Sequence, residues 1–218
     1  MDHMLTFDQI FLLGEWIGTA AFAISGAMVA IDKRTDVFGV LLLAVFTALG
    51  GGTVRDILIG HFPPRMFSNG QYVLLAIFCA LIVFIVARIM RVRYIAMEGE
   101  IERINVVFDA IGLGVFAVSG ASIGMEAGYG DNLLLVVALG TVTAIGGGML
   151  RDVMLQEIPF VLKKHIYAVA AIAGATTFFL IANAGMSHTI SYGAGWLVTF
   201  TLRMLAMHYK WNLPMAIK

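Results

Sequence analysis

The sequence predicts an all-α membrane protein with seven transmembrane helices, built as an inverted repeat of three helices plus a seventh. Three observations predict this fold class. The 218 residues are 60% hydrophobic and 13% charged, with a mean hydropathy of +0.91, whereas soluble domains carry about 25% charged residues. Seven apolar runs are long enough to span a bilayer, and one glycine-rich motif occurs in both the second and the fifth of them.

The predicted spans follow from the length that a bilayer demands. A spanning helix needs about 20 mostly apolar residues. The runs that qualify are 10–31, 36–60, 70–90, 105–125, 131–156, 165–184 and 190–208. Because the connections are short, we expect one transmembrane domain over residues 1–218, with repeat 1 over about 10–90, repeat 2 over about 105–184 and the seventh helix over about 190–208.

The repeat is visible residue by residue. GGGTVRD at 50–56 returns as GGGMLRD at 146–152, displaced by 96 residues. FAISG at 22–26 returns as FAVSG at 116–120, displaced by 94. Each copy contains three spans, an odd number, so the second copy enters the membrane from the opposite side. This is the pattern of an inverted repeat around a site near the midplane.

The basic residues predict the orientation. With Arg55 in the membrane set aside, the loops on the N-terminal side carry only Arg65. The other side carries ten: Lys33, Arg34, Arg88, Arg91, Arg93, Arg103, Lys163, Lys164, Lys210 and Lys218. Since basic loops stay in the cytoplasm, we expect the N-terminus outside and the C-terminus inside.

The two glycine motifs are the first candidate site. Three successive glycines inside a helix cost about 1 kcal/mol each relative to alanine, so we predict that spans 2 and 5 break at Gly50–Gly52 and Gly146–Gly148. At such a break, the freed backbone carbonyls would suit a cation, and the N-terminus of the half-helix that follows would suit an anion. The alternative is close helix packing through small residues. Four hydroxyl side chains are candidates to line a path beside the glycines: Thr47, Thr143, Ser25 and Ser119.

Ionisable residues inside the spans are the second candidate site. From their depth in the bilayer we predict two ion pairs, Glu15 with Arg55 and Asp109 with Arg151. Asp56 and Asp152 directly follow the arginines, about 100° around the helix, and are expected to point elsewhere while adding negative charge. The pairs either line and gate a wet path or only hold helices together.

Other classes of function find no support in the sequence. No nucleophile and base can be placed together, so no catalytic residues are assigned and an enzyme is not expected. The histidines have no second ligand at metal-binding spacing, and no metal or cofactor is predicted. The net charge is zero, which gives no electrostatic case for nucleic acid.

The doubled GGGxxRD motif in spans 2 and 5 of a seven-helix inverted repeat resembles the bacterial and archaeal trimeric intracellular cation (TRIC) channels, a domain also labelled a glycine transporter. The resemblance covers roughly residues 10–208. It implies a homotrimer in a bacterial or archaeal cell membrane, the inner membrane where there are two, surrounded by membrane lipid. It also implies a K⁺- and Na⁺-conducting pore in each subunit, with kinks at the glycines and with Arg55 and Arg151 beside the pore. A secondary transporter for glycine or another small zwitterion, and a purely structural membrane subunit, remain the alternatives.

Overall fold

The computed structural model describes residues 6–163 and 166–211, which form helices and connecting turns without strands. The long helices are α1 (Phe7–Asp32), α2 (Val37–Leu58), α4 (Gln71–Ile89), α6 (Glu98–Gly124), α7 (Leu133–Met154), α9 (Ile166–Asn183) and α10 (His188–His208). Short helices lie in the connections: α3 (Arg65–Ser68), α5 (Arg91–Ala96) and α8 (Phe160–Lys163). α6 continues into a π-helical turn, Met125–Tyr129, where Gly128 has a φ of 93°.

Six of the described helices are long and apolar enough to cross a membrane: α1, α2, α4, α6 with its π turn, α7 and α9. They correspond to the first six predicted spans. α10 has 21 residues but is less apolar and is not among the six, so the seventh span is not confirmed. Lys164 and Lys218, which entered the count of basic residues, lie outside the described residues, as does residue 165 at the predicted start of span 6.

Polar caps set where the two glycine-bearing helices begin. The Asp36 carboxylate accepts a hydrogen bond from the Gly39 amide at 2.8 Å, and the Asn132 amide oxygen accepts one from the Leu135 amide at 3.1 Å. Such caps satisfy amides that have no partner within the helix. Both helices are then 22 residues long, and each residue of α2 has its counterpart in α7 at an offset of 96.

The helices that carry these motifs occupy the middle of the bundle. α2 packs against α7, α1 against α2 and α6, and α6 against α7. Small residues permit these contacts, with Ala23, Ala27, Ala44, Ala117 and Ala144 fully buried. α4 lies against α1 and α2 and buries little beyond Ala76, Ala80 and Ala87, so most of its apolar surface faces outwards.

The predicted helix breaks are wrong in this structure. α2 continues through Gly50–Gly52 and α7 through Gly146–Gly148 without leaving helical geometry. Gly51, Gly146 and Gly147 are explained instead by the crossing of these two helices, where a side chain would meet the backbone of the opposite helix. Close packing through small residues, the alternative to a break, is what the backbone shows.

Candidate functional site: the crossing of α2 and α7

The two helix backbones touch at the glycine motifs. A Cβ atom on Gly51 would lie closer than 3.0 Å to the Thr143 carbonyl oxygen, and one on Gly147 closer than 3.0 Å to the Thr47 carbonyl oxygen. Real Cβ atoms essentially never approach other atoms so closely. A Cβ on Gly146 would meet the Gly51 Cα at 3.0 Å. Glycine is therefore required in the middle of each motif by contact with the opposite helix.

The predicted threonines lie buried at the same crossing. The Thr47 hydroxyl donates to the Leu43 carbonyl at 2.6 Å, and the Thr143 hydroxyl to the Leu139 carbonyl at 2.6 Å. Gly26 of α1 and Gly120 of α6 press against these two hydroxyls, each with space for no Cβ atom. The hydroxyl protons are thus used within the helices, and both threonine side chains are 1% exposed.

Ser25 and Ser119 are both fully buried beside those glycines but differ in their partners. Ser119 donates a hydrogen bond to the carboxylate of Glu15, which joins α6 to α1. The Ser25 hydroxyl has no hydrogen-bond partner within the described part of the chain. Two serines at matching positions therefore have unlike surroundings.

The arginines of the motifs pair with the neighbouring aspartates. Arg55 donates to the Asp56 Oδ1 from Nε at 3.0 Å and from Nη2 at 2.7 Å. Arg151 reaches the Asp152 Oδ1 from Nε at 2.8 Å and from Nη2 at 2.8 Å. All four side chains are less than 10% exposed. Both nitrogens of each arginine thus contact a single carboxylate oxygen, which leaves the other oxygen for another donor.

These contacts overturn the predicted ion pairs. Among the described residues, no ion pair within 4.0 Å joins Glu15 to Arg55 or Asp109 to Arg151, and Asp56 and Asp152 do not point elsewhere. The 100° between adjacent Cβ atoms is bridged because the arginine stem is long enough to bend back. The second oxygen of each aspartate accepts a hydrogen bond from a backbone amide in the segment that follows its helix. The Arg65 amide donates to Asp56 at 2.9 Å and the Phe160 amide to Asp152 at 2.7 Å, which fixes each carboxylate in place.

Asp109 lies in a second buried cluster that the sequence reasoning did not identify. Its Oδ1 accepts a hydrogen bond from the Tyr167 hydroxyl at 3.2 Å, and its Oδ2 lies 4.0 Å from the Arg203 Nη2. Arg203, on α10, also lies over the Tyr167 ring at 4.9 Å and over the Phe160 ring at 5.5 Å. Arg203 was left out of the charge count, although an arginine within a predicted span is itself a signal of a functional position.

A cavity of about 250 Å³ opens onto the crossing beside the first motif. Gly52, Thr53, Arg55 and Asp56 line it from α2, Glu15 and Thr19 from α1, and Thr143 from α7. Arg65 and Tyr72 line it from the segment after α2 and from α4. It brings together most of the predicted residues of the first motif with Thr143 of the second. Within the described residues, no group of three His, Cys, Asp or Glu side chains is arranged to hold a metal ion.

The family model described as Glycine transporter matches the chain twice, over residues 12–88 and 106–183. Among curated relatives, a UPF0126 membrane protein of Vibrio cholerae is 35% identical over 94% of this chain and 82% of its own length. A UPF0126 membrane protein of Deinococcus radiodurans is 37% identical over 92% of this chain and 89% of its own length. The UPF0126 inner membrane protein YadS of Escherichia coli is 35% identical over 91% and 92%.

The solved structures that resemble this fold are ion channels rather than enzymes. A prokaryotic TRIC channel in 0.5 M KCl superimposes with a TM-score of 0.85 at 35% identity, over 95% of this chain and all of that one. The TRIC trimeric intracellular cation channel orthologue from Rhodobacter sphaeroides superimposes with a TM-score of 0.82 at 33% identity, over 93% of this chain and 99% of that one. With sequence and fold in agreement over nearly its whole length, the chain belongs to the glycine transporter (UPF0126) family of integral membrane proteins, whose fold the TRIC cation channels share.

Proposed function

We propose that this protein is a channel for monovalent cations, K⁺ and Na⁺, with an ion path through each chain along the crossing of α2 and α7. The observation that carries the proposal is the 250 Å³ cavity that reaches the first glycine motif at Gly52 and is also lined by Glu15, Thr143 and the Arg55–Asp56 pair. Its support from outside the chain is the similarity to solved TRIC cation channels at 33–36% identity.

The pairing of the arginines removes an obstacle to cation passage. A free guanidinium beside the path would repel cations, but Asp56 holds Arg55 and Asp152 holds Arg151 at 2.7–2.8 Å. The Glu15 carboxylate lines the cavity, accepts a hydrogen bond from Ser119 and has no ion pair within 4.0 Å among the described residues. Release of an arginine from its aspartate would place positive charge at the path, so we propose these pairs as the gate.

The inverted repeat, the trimer and the orientation belong to the same proposal. The equal lengths and caps of α2 and α7, and the two segments matched by one family model, support a repeat of three spans in each half. The trimeric Rhodobacter sphaeroides orthologue supports a homotrimer. The excess of basic residues on one side supports an N-terminus outside and a C-terminus in the cytoplasm.

One observation favours a second function, a transporter for glycine or another small zwitterion. The same cavity is lined by Glu15 and Arg65, and neither side chain has an ion pair within 4.0 Å in the described part of the chain. A carboxylate and a guanidinium facing one space suit the amine and the carboxylate of an amino acid. The description of the family as glycine transporters agrees with this alternative.

Planar-bilayer recording of the purified protein in asymmetric KCl separates the two. A channel gives unitary currents that reverse near the K⁺ equilibrium potential, and Arg55→Ala changes their conductance or open probability. Gly51→Ala, which forces the helices apart, should change them too, whereas Gly193→Ala on α10 is the control, because its Cβ would meet nothing within 4 Å and Gly193 does not line the cavity. Silent bilayers together with saturable glycine uptake into liposomes would overturn the channel and favour the transporter.

A further inference from the structure

A second and larger cavity, about 1010 Å³ in volume, lies away from the α2–α7 crossing. Its walls are the last turn of α1, the last turns of α4, the short helix α5 and the first turns of α6. It shares no lining residue with the cavity at the glycine motifs. It lies on the side of the bundle where the basic loops are concentrated, next to the membrane boundary where α4 ends.

Charges of both signs surround this cavity. Arg34, Arg88 and Arg91 line it together with Asp32 and Glu102. None of the five makes an ion pair within 4.0 Å among the described residues. Lys33, in the same loop as Arg34, is by contrast paired with Glu157 at 2.9 Å. The cavity thus offers cationic donors and anionic acceptors that have no ion pair among the described residues.

Two polar atoms in the cavity wall are buried without a partner. The Tyr94 hydroxyl and the Asn105 Oδ1 are inaccessible and make no hydrogen bond within the described part of the chain. Buried polar groups almost always have partners, so each orphan requires an explanation. Burial, and to a lesser extent Asp32, raises the pKa of the Tyr94 hydroxyl, which therefore stays protonated as a donor, while the Asn105 oxygen is an acceptor.

The remaining surface of the cavity is apolar and continues outwards. Met28, Val29, Ile31 and Phe84 form part of the wall. Next to it, Ile89 is 78% exposed and Val92 is 85% exposed. A small soluble zwitterion would use none of this surface. A ligand with a charged head and acyl chains would use all of it.

We propose that this cavity binds one membrane phospholipid whose headgroup carries a primary amine, a phosphatidylethanolamine. The arginines and the Tyr94 hydroxyl bind the phosphodiester, while Asp32, Glu102 and the Asn105 oxygen accept from the ammonium group. The acyl chains lie along the apolar wall towards Ile89. This proposal does not depend on what passes along the α2–α7 crossing.

Native mass spectrometry of the delipidated full chain tests the site by titration with phosphatidylethanolamine, phosphatidylcholine and phosphatidylglycerol of identical acyl chains. One phosphatidylethanolamine per chain should bind about tenfold more tightly than either of the others, because only its headgroup brings positively charged N–H donors to the carboxylates. Arg34→Gln with Arg88→Gln should weaken binding of all three lipids about tenfold. Asp32→Asn with Glu102→Gln should abolish the preference for the amine while phosphatidylcholine binding persists.

Controls separate this site from general lipid contact. Arg103→Gln removes an exposed arginine that neighbours Glu102 but does not line the cavity, and it should leave all three affinities unchanged. Glycerophosphoethanolamine, the headgroup without acyl chains, should compete poorly. Equal affinity for the three lipids, tighter binding of phosphatidylglycerol, loss of affinity in Arg103→Gln, or full competition by the free headgroup would each overturn the proposal. The comparison of lipids on the unaltered chain holds even where a variant fails to fold.

Discussion

The carboxylate of Asp109 on α6 lies 4.0 Å from the guanidinium of Arg203 on α10, and both side chains are at least 90% buried. Two buried atoms of this pair, Asp109 Oδ2 and Arg203 Nε, have no hydrogen-bond partner within the described residues. Arg151 and Asp152 are near enough to Asp109 to act on it electrostatically. α10 is thereby tied by charge to the second glycine motif.

Removal of Arg203 alone should destabilise the protein strongly. Arg203→Leu leaves the buried Asp109 with the Tyr167 hydroxyl as its partner, and an uncompensated buried charge costs about 3–5 kcal/mol. The double variant Arg203→Leu/Asp109→Leu should recover most of that loss. Thermal unfolding in detergent measures both, with the exposed Arg103→Leu as control. Strictly additive losses in the double variant would mean that the two residues do not interact.

The backbone contact between α2 and α7 predicts opposite outcomes for adjacent glycines. Gly51→Ala and Gly147→Ala place a Cβ against a carbonyl oxygen that cannot move aside alone, and overpacking of this kind costs about 1–3 kcal/mol. Gly52→Ala and Gly148→Ala meet nothing closer than 3.6 Å and should gain up to about 1 kcal/mol, because alanine is the better helix former. The melting temperatures of the four variants test this. Equal effects within each motif would contradict the contact.

The pairing within the first motif can be tested by double-mutant cycles. Arg55→Ala and Asp56→Ala should show a coupling free energy above about 1 kcal/mol, because they share two hydrogen bonds at 2.7 and 3.0 Å. The losses of unfolding free energy in Arg55→Ala and Glu15→Ala should be additive within about 0.5 kcal/mol, because the two side chains make no ion pair. Denaturation in detergent of the unaltered protein, the three single variants and the two double variants supplies both cycles. Coupling found only between Glu15 and Arg55 would restore the pairing expected from depth alone.

An exposed cluster outside the membrane spans predicts a pH dependence. Hydrogen bonds from Lys33 and Lys163 lower the pKa of Glu157 from 4.5, and Glu157 raises the pKa of Lys33 from 10.5. The contribution of Glu157 is present above pH 4.5 and is lost as the pH falls through its lowered pKa. The contribution of Lys33 is present below pH 10.5 and is lost as the pH rises through its raised pKa.

Melting curves of the unaltered protein and Glu157→Gln from neutral pH to about pH 3 test the acid side. The small difference between the two should disappear once Glu157 is protonated. Glu100→Gln, exposed and without an ion pair within 4.0 Å among the described residues, is the control. A difference that persists at low pH would show that Glu157 acts through packing and not through its charge.

The sequence predicts the positions of the helices well because the apolar runs are long, and α1, α2 and α7 each begin at a polar side-chain cap. The second span was placed at 36–60 and is found at Val37–Leu58. Its register against α7 follows from the doubled motif. The prediction of helix breaks was wrong because the low helix propensity of glycine describes an isolated helix. In this bundle, Gly51 and Gly147 are each required because a backbone carbonyl of the other helix lies too close for a side chain.

The ion pairs were harder to predict for a geometric reason. Depth places Glu15 and Arg55 at similar levels in the bilayer but says nothing of the direction in which each helix face points. In the structure the Glu15 carboxylate accepts a hydrogen bond from Ser119. The Asp56 carboxylate accepts one from the backbone amide of Arg65, nine residues further along the chain. No role was predicted for Arg203 because it lies among apolar residues inside the predicted span 190–208.

The place of Arg203 makes the two ends of the bundle chemically unequal. Glu15 is bonded by a neutral serine, whereas Asp109 faces a tyrosine and a guanidinium supplied by α10, which follows both segments that the family model matches. In the channel that we propose, an ion from one end would meet the carboxylate of Glu15, and from the other end a carboxylate already opposed by the positive charge of Arg203. The proposed channel should therefore conduct unequally in the two directions, and single-channel currents in symmetric KCl should rectify.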